Sequence, residues 1–144
     1  YKHIITIDCA DSLEIYIRAG ALVQIITNLI MNSIFHGFEN IESGNITITA
    51  KTIDAEVHIC YEDNGCGMPP AALTKLFEPF YTTKRGKGGS GLGASLVYNL
   101  VTQGLNGRIS ASSELKQGLK FNIDLPINLT GVNNANEHSG AKLN

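Results

Sequence analysis

The order in which side-chain periodicity changes along this chain is what most limits its possible folds. "KHIITID" (2–8) and "LEIYI" (13–17), around the turn-prone "DCADS", read as two strands. "GALVQIITNLIMNSIFHG" (20–37) repeats apolar residues at helical spacing and stops at Gly37, the expected C-cap. "GNITITA" (44–50) and "EVHICYED" (56–63) alternate and predict an antiparallel hairpin. "PPAALTKLFEPF" predicts a short helix after its prolines, "YTTKRGKGGSG" a loop, and "LGASLVYNLVTQ" a helix. "GRISASS" and "LKFNIDL" then predict a second strand pair about "ELKQG". This β-β-α-β-β-α-loop-α-β-β order lacks the βαβ alternation of a parallel nucleotide-binding sheet. It predicts an α+β fold, a two-layer sandwich with a mixed, mainly antiparallel sheet and about three helices on one face.

The 144 residues, 43% hydrophobic and 17% charged, suit one domain. We expect that domain to span residues 1–126, with 127–144 a flexible tail. A net charge of −2 gives no pull toward nucleic acid or an anionic membrane, so any anion site must be local. Cys9, Cys60 and Cys66 form no CxxC pair, which argues against a disulfide framework or zinc cluster and for a reducing, cytoplasmic setting. Polar residues interrupt the apolar runs before the length of a membrane span, and the start lacks a signal-peptide pattern, suggesting a piece of a longer protein.

Three features carry chemistry. Gln24, Asn28, Asn32 and His36 follow one another at i+4, so they share a polar stripe, while Ile25, Ile26, Leu29, Ile30 and Ile34 can face the sheet. The stripe is either solvated or a set of hard oxygen donors suited to magnesium. "DNGCGM" places Asp63 at a strand end beside Gly65 and Gly67, either as a hairpin turn or as a carboxylate that accepts from an exocyclic amine. "GKGGSGLG" (86–93) holds five glycines and opens a helix, with Lys84, Arg85 and Lys87 beside it; it is a flexible linker or a phosphate cradle.

Taken in order, these segments resemble the catalytic and ATP-binding domain of sensor histidine kinases, in the GHKL superfamily that includes DNA gyrase and MutL. "NLIMNS" is similar to its N box, "DNGCGM" to its first glycine box, "LFEPFYTTK" to its F box and "GGSGLGASLVYNLV" to its second glycine box. The resemblance implies the Bergerat ATP-binding fold, with ATP and magnesium as cofactors. It makes Asn32 the principal magnesium ligand, with Asn28 near the metal or phosphates and His36 against the adenine. Asp63 would bind the adenine amine, with Gly65, Gly67 and Met68 around the base. Phe77 and Phe80 would anchor the lid over ATP. Thr83, Lys84, Arg85, Gly89, Ser90, Gly91, Leu92 and Gly93 would surround the phosphates, and Lys84 would join Asn28 and Asn32 in catalysis. A solvated basic loop is the competing reading of Lys84, Arg85 and Lys87. Phe35 stands where a basic residue often contacts phosphate, and Thr82 where some members carry arginine. Cys66 occupies a variable position, as a reactive thiol or an inert small residue.

Hydrolytic relatives place a glutamate base at the position of Asn28. An amide cannot take that proton, whereas a histidine acceptor already offers a lone pair near neutral pH. The resemblance therefore implies γ-phosphoryl transfer to a histidine; a GHKL-type ATPase and a degenerate nucleotide-binding interaction module are the alternatives. None of His3, His36, His58 and His138 lies in a suitable acceptor motif. The acceptor is expected on a separate dimerisation domain, so that this chain alone binds ATP or ADP without phosphorylating itself. A response regulator would be the downstream partner. The domain would be cytoplasmic, without direct membrane contact or nucleic-acid binding, in a sensor that can be membrane-anchored.

Overall fold

A computed structural model describes residues 2–9, 18–79 and 93–127. Its elements are β1 (Ile4–Cys9), α1 (Ala19–Asn32), β2 (Asn45–Ile53), β3 (Glu56–Asp63), α2 (Pro70–Leu73), α3 (Gly93–Asn99), β4 (Arg108–Ser113) and β5 (Leu119–Pro126). The strand expected at 13–17 and the tail at 128–144 lie outside the described residues. Ile127 still belongs to the packed unit, since its N–H donates to the Ala55 carbonyl at 2.7 Å.

The sheet order is β1-β2-β3-β5-β4. β2 and β3 form the expected antiparallel hairpin, as do β4 and β5, and β5 docks antiparallel to β3. β1 instead runs parallel to β2, pairing Ile4 with Asn45 through Cys9 with Ala50, which makes the sheet mixed. Period-2 alternation puts Ile46, Ile48, Val57, Ile59, Tyr61, Phe121, Ile123 and Leu125 on one face. Against them pack Ile25 and Leu29 of α1 and, from α3 and its continuation, Val97 and Val101. Each such large apolar side chain contributes about 1.5–3 kcal/mol by leaving water.

The end of α1 differs from the sequence expectation in two ways. Residues 33–37 widen into a π turn in which the Phe38 N–H donates to the Ser33 carbonyl, so Gly37 is inside the turn and is no left-handed cap. Ile34 is 41% exposed, because eleven residues of helical rotation from Val23 carry it onto the solvent side. Ile25 and Leu29 are buried as expected, and Ile26 and Ile30 pack at the margin of the core. By length and a mean hydropathy of 1.2, the helix Ala19–Gly37 passes the test for a membrane span that the interrupted sequence was expected to fail. Its buried face is nonetheless spent on the sheet.

The outer face of the sheet is polar. Arg108 bridges Glu56 at 3.0 Å and Asp124 at 3.5 Å, while His58 lies between the same two carboxylates. The Glu56 carboxylate holds the Arg108 guanidinium above its usual value. Three strands are thereby cross-linked on the side away from the helices.

Candidate functional site

The inward alternation of β3 runs Val57, Ile59, Tyr61 and then Asp63. The fourth inward position is thus a carboxylate, and it is 3% exposed. A buried charge needs partners. Asp63 Oδ1 accepts from the Gly65 N–H at 3.0 Å and the Leu119 N–H at 3.1 Å, and Oδ2 accepts from the Ser33 hydroxyl at 2.7 Å. The Tyr61 hydroxyl is 2.6 Å from Ser33 Oγ and donates to the Leu29 carbonyl at 2.9 Å.

The backbone closes tightly around this carboxylate. A Cβ on Gly37 would lie 3.2 Å from Asp63 Oδ2, and one on Gly65 only 2.4 Å from the Gly37 carbonyl oxygen. The Cys66 N–H also donates to that carbonyl, at 2.9 Å. Gly118 (φ +87°) passes so near the Asp63 carbonyl that a Cβ there would sit 1.9 Å from its oxygen. Gly67 (φ +70°) is confined in the same way by the Glu114 carbonyl, and the Met68 N–H donates to Ser113 Oγ at 2.8 Å.

On α1, Asn32 lies against the start of α3, whereas Gln24 at the other end of the stripe is exposed. A Cβ on Gly93 would meet Asn32 Oδ1 at 2.9 Å, so a glycine at the first residue of α3 leaves room beside that amide. One turn earlier, the buried Asn28 Nδ2 has no hydrogen-bond partner among the described residues. An unpaired buried donor costs about 1–3 kcal/mol, and an anionic oxygen would satisfy it. Turning the same amide over presents an oxygen to a cation instead. The donor set thus fits magnesium shared with phosphates, since magnesium takes oxygen ligands and keeps substrate phosphates among them.

The His36 ring lies edge-on to Phe35 at 5.1 Å, and the exposed Cys66 thiol is 3.5 Å from the His36 carbonyl oxygen. Phe77 packs against Tyr98 at 5.2 Å and Phe121 at 6.2 Å, fixing the chain that leads into the glycine-rich segment. Phe80, Thr82, Thr83, Lys84, Arg85, Lys87, Gly89, Ser90, Gly91 and Leu92 lie outside the described residues. The structure brings Asp63 and Gly65 against Ser33 and Gly37 at the end of α1, and Asn32 against Gly93 at the start of α3; Asn28 lies one turn before Asn32 and His36 one residue before Gly37. Sequence reasoning missed Ser33 and Tyr61. The available signal was a tyrosine at an inward strand position, where its hydroxyl must find a partner.

Burial is the main force that pushes the Tyr61 hydroxyl well above its usual pKa; the Ser33 hydrogen bond opposes this and the Asp63 charge adds to it. Because the folded value is raised, the stabilising contribution is complete below about pH 10, the unfolded value, and is lost as pH climbs toward the folded one. Stability against urea should therefore fall above about pH 10 by up to ~1.4 kcal/mol per pH unit from this residue. Tyr61→Phe is expected to remove that increment, and an identical alkaline slope in the variant would contradict the assignment.

A sequence profile described as "Histidine kinase-, DNA gyrase B-, and HSP90-like ATPase" matches residues 18–129. The signal transduction histidine-protein kinase BaeS of Escherichia coli K12 is 33% identical over 81% of this chain and 25% of its own length. Sporulation kinase E of Bacillus subtilis is 36% identical over 84% of this chain and 16% of its own. The chain thus spans a quarter or less of these two relatives. Among solved structures, the catalytic domain of histidine kinase ThkA in a nucleotide-free form superposes with a TM-score of 0.70 at 26% identity, covering 88% of this chain and 78% of that one. Full-length ShkA in complex with AMPPNP gives 0.72 at 29% identity, covering 86% of this chain and 25% of that one.

Proposed function

The chain belongs to the histidine kinase-, DNA gyrase B- and HSP90-like ATPase family, its relatives include a signal transduction histidine-protein kinase, and from that premise we propose how its own residues divide the work. It binds ATP with magnesium and presents the γ-phosphoryl group to a histidine on the dimerisation domain of the same protein, which then passes it to a response regulator. The observation that carries this reading is the unpartnered buried amide nitrogen of Asn28, one turn from an Asn32 oxygen that faces a glycine at the start of α3.

In this assignment Asp63 receives the adenine amine, Gly37 leaves the side of the Asp63 carboxylate free for the base, and Gly65 lets the Gly37 backbone pass close by. His36 flanks the ring. Asn32 holds magnesium, and Asn28 donates to a phosphate oxygen or joins the metal. Bound magnesium supplies neutralisation of the phosphate charge. Lys84, with Thr83, Arg85, Gly89, Ser90, Gly91 and Leu92, encloses the phosphates, and Met68, Phe77 and Phe80 support the base and the lid. Catalysis then rests on positioning, because Asn28 cannot deprotonate water and an imidazole acceptor needs no such base. The domain works on the cytoplasmic side as residues 1–127 of this chain, Ile127 being packed against it.

Calorimetry on the 144-residue chain should show ATP binding that weakens on chelation of magnesium, and a phosphate-release assay should show no steady turnover. Sustained hydrolysis would favour the ATPase reading. Absence of nucleotide binding would favour an interaction module.

A further inference from the structure

The carboxylate of Asp63 is more fully committed than a single amine contact requires. A carboxylate offers about four acceptor positions. Two on Oδ1 are taken by backbone N–H groups, and one on Oδ2 by Ser33. One position remains, on the oxygen that faces the Cβ-free side of Gly37.

Ser33 itself is an unexpected residue. Alanine suits a buried helical site better, and a helical serine usually bonds back to its own helix. Here the hydroxyl crosses to β3. Behind it, the single Tyr61 hydrogen is shared between two acceptors, Ser33 Oγ and the Leu29 carbonyl. When that hydrogen points at Ser33, two donors in series polarise each other toward Asp63.

We infer that Ser33, backed by Tyr61, is a positioning and specificity-determining pair that holds Asp63 as an acceptor with one open place, and so selects a 6-amino over a 6-oxo purine nucleotide. The inference rests on the assignment of Asp63 to the purine amine. A 6-oxo purine brings a carbonyl oxygen and a ring N–H to that edge. The oxygen is repelled by a fixed carboxylate, and the N–H can be met only if the carboxylate turns. Ser33 is the one side-chain donor among the described residues that resists the turn.

Both hydroxyls can be removed without orphaning a donor. In Ser33→Ala the Tyr61 hydrogen goes wholly to the Leu29 carbonyl; in Tyr61→Phe the Ser33 hydrogen stays on Asp63. The test is calorimetric binding of adenosine and inosine triphosphates, with magnesium, to the 144-residue chain. Ser33→Ala should narrow the adenosine-over-inosine ratio by roughly tenfold, the scale of a hydrogen bond to a charged group. Tyr61→Phe should narrow it less, in the same direction. A merely structural role would weaken both nucleotides alike and leave the ratio unchanged. If Asp63→Asn removes the preference while both hydroxyl variants retain it, the inference is overturned and the Asp63 assignment stands. If Asp63→Asn also keeps the preference, both are overturned.

Discussion

Asn32→Ala should lower magnesium-dependent ATP affinity by roughly a hundredfold or more, the upper end of what losing even an outer-sphere partner costs a metal site. The expectation comes from the Asn32 oxygen facing Gly93 and from the unpartnered Asn28 amide one turn before it. Truncation removes an oxygen donor and leaves Asn28 with neither a metal-bound phosphate nor a neighbour to satisfy it. The same variant should bind ADP in chelator about as the unmodified chain does, because Asp63 and the glycines around it are untouched. Full ATP affinity in magnesium would remove Asn32 from the metal site. Loss of ADP binding in chelator would instead point to a collapsed helix end.

The second large effect is on stability. Gly118→Ala should cost roughly 3 kcal/mol or more in urea unfolding. A left-handed alanine costs about 1–2 kcal/mol, and an overpacked atom adds about 1–3 kcal/mol. Gly118 is at φ +87°, and its new methyl would lie 1.9 Å from the Asp63 carbonyl oxygen, against backbone that cannot swing away. The shift would drag Asp63 from the Leu119 N–H, so nucleotide affinity should fall with stability. Gly20→Ala is the control: nothing lies within 4 Å of its added Cβ, and a helical alanine is worth about 0.5–1 kcal/mol over glycine. Equal stability of Gly118→Ala and the unmodified chain would mean that the turn before β5 is not the tight support described above.

Strands with strict alternation were legible from the sequence to within a residue or two, as β3 and β5 show, because one solvated face imposes period 2. The parallel docking of β1 was not, since nothing local distinguishes a hairpin arm from an edge strand that pairs across a helix. Ile34 and Gly37 were misplaced for a shared reason. Helical spacing was carried through to the glycine without allowing for the drift of the stripe and the wider last turn. Asn28, Asn32 and Asp63 stood out in the sequence because polar residues in apolar frames demand a reason, and the structure buries the Asn28 amide nitrogen and the Asp63 carboxylate. Ser33 and Tyr61 were not, because a serine is too small to break an apolar pattern and a strand tyrosine passes as core.

The contact between Gly37 and Gly65 also limits how this site can vary. The carbonyl of one fills the space a side chain on the other would need, and Gly37 in turn borders the Asp63 carboxylate. A substitution at Gly65 cannot be rescued by a smaller residue opposite, since the obstacle is the backbone carbonyl of Gly37, which is already glycine. On the proposed reading, new nucleotide preferences are reachable through the replaceable hydroxyls behind the carboxylate, while Gly65, held against a backbone carbonyl, is a closed path to mutation.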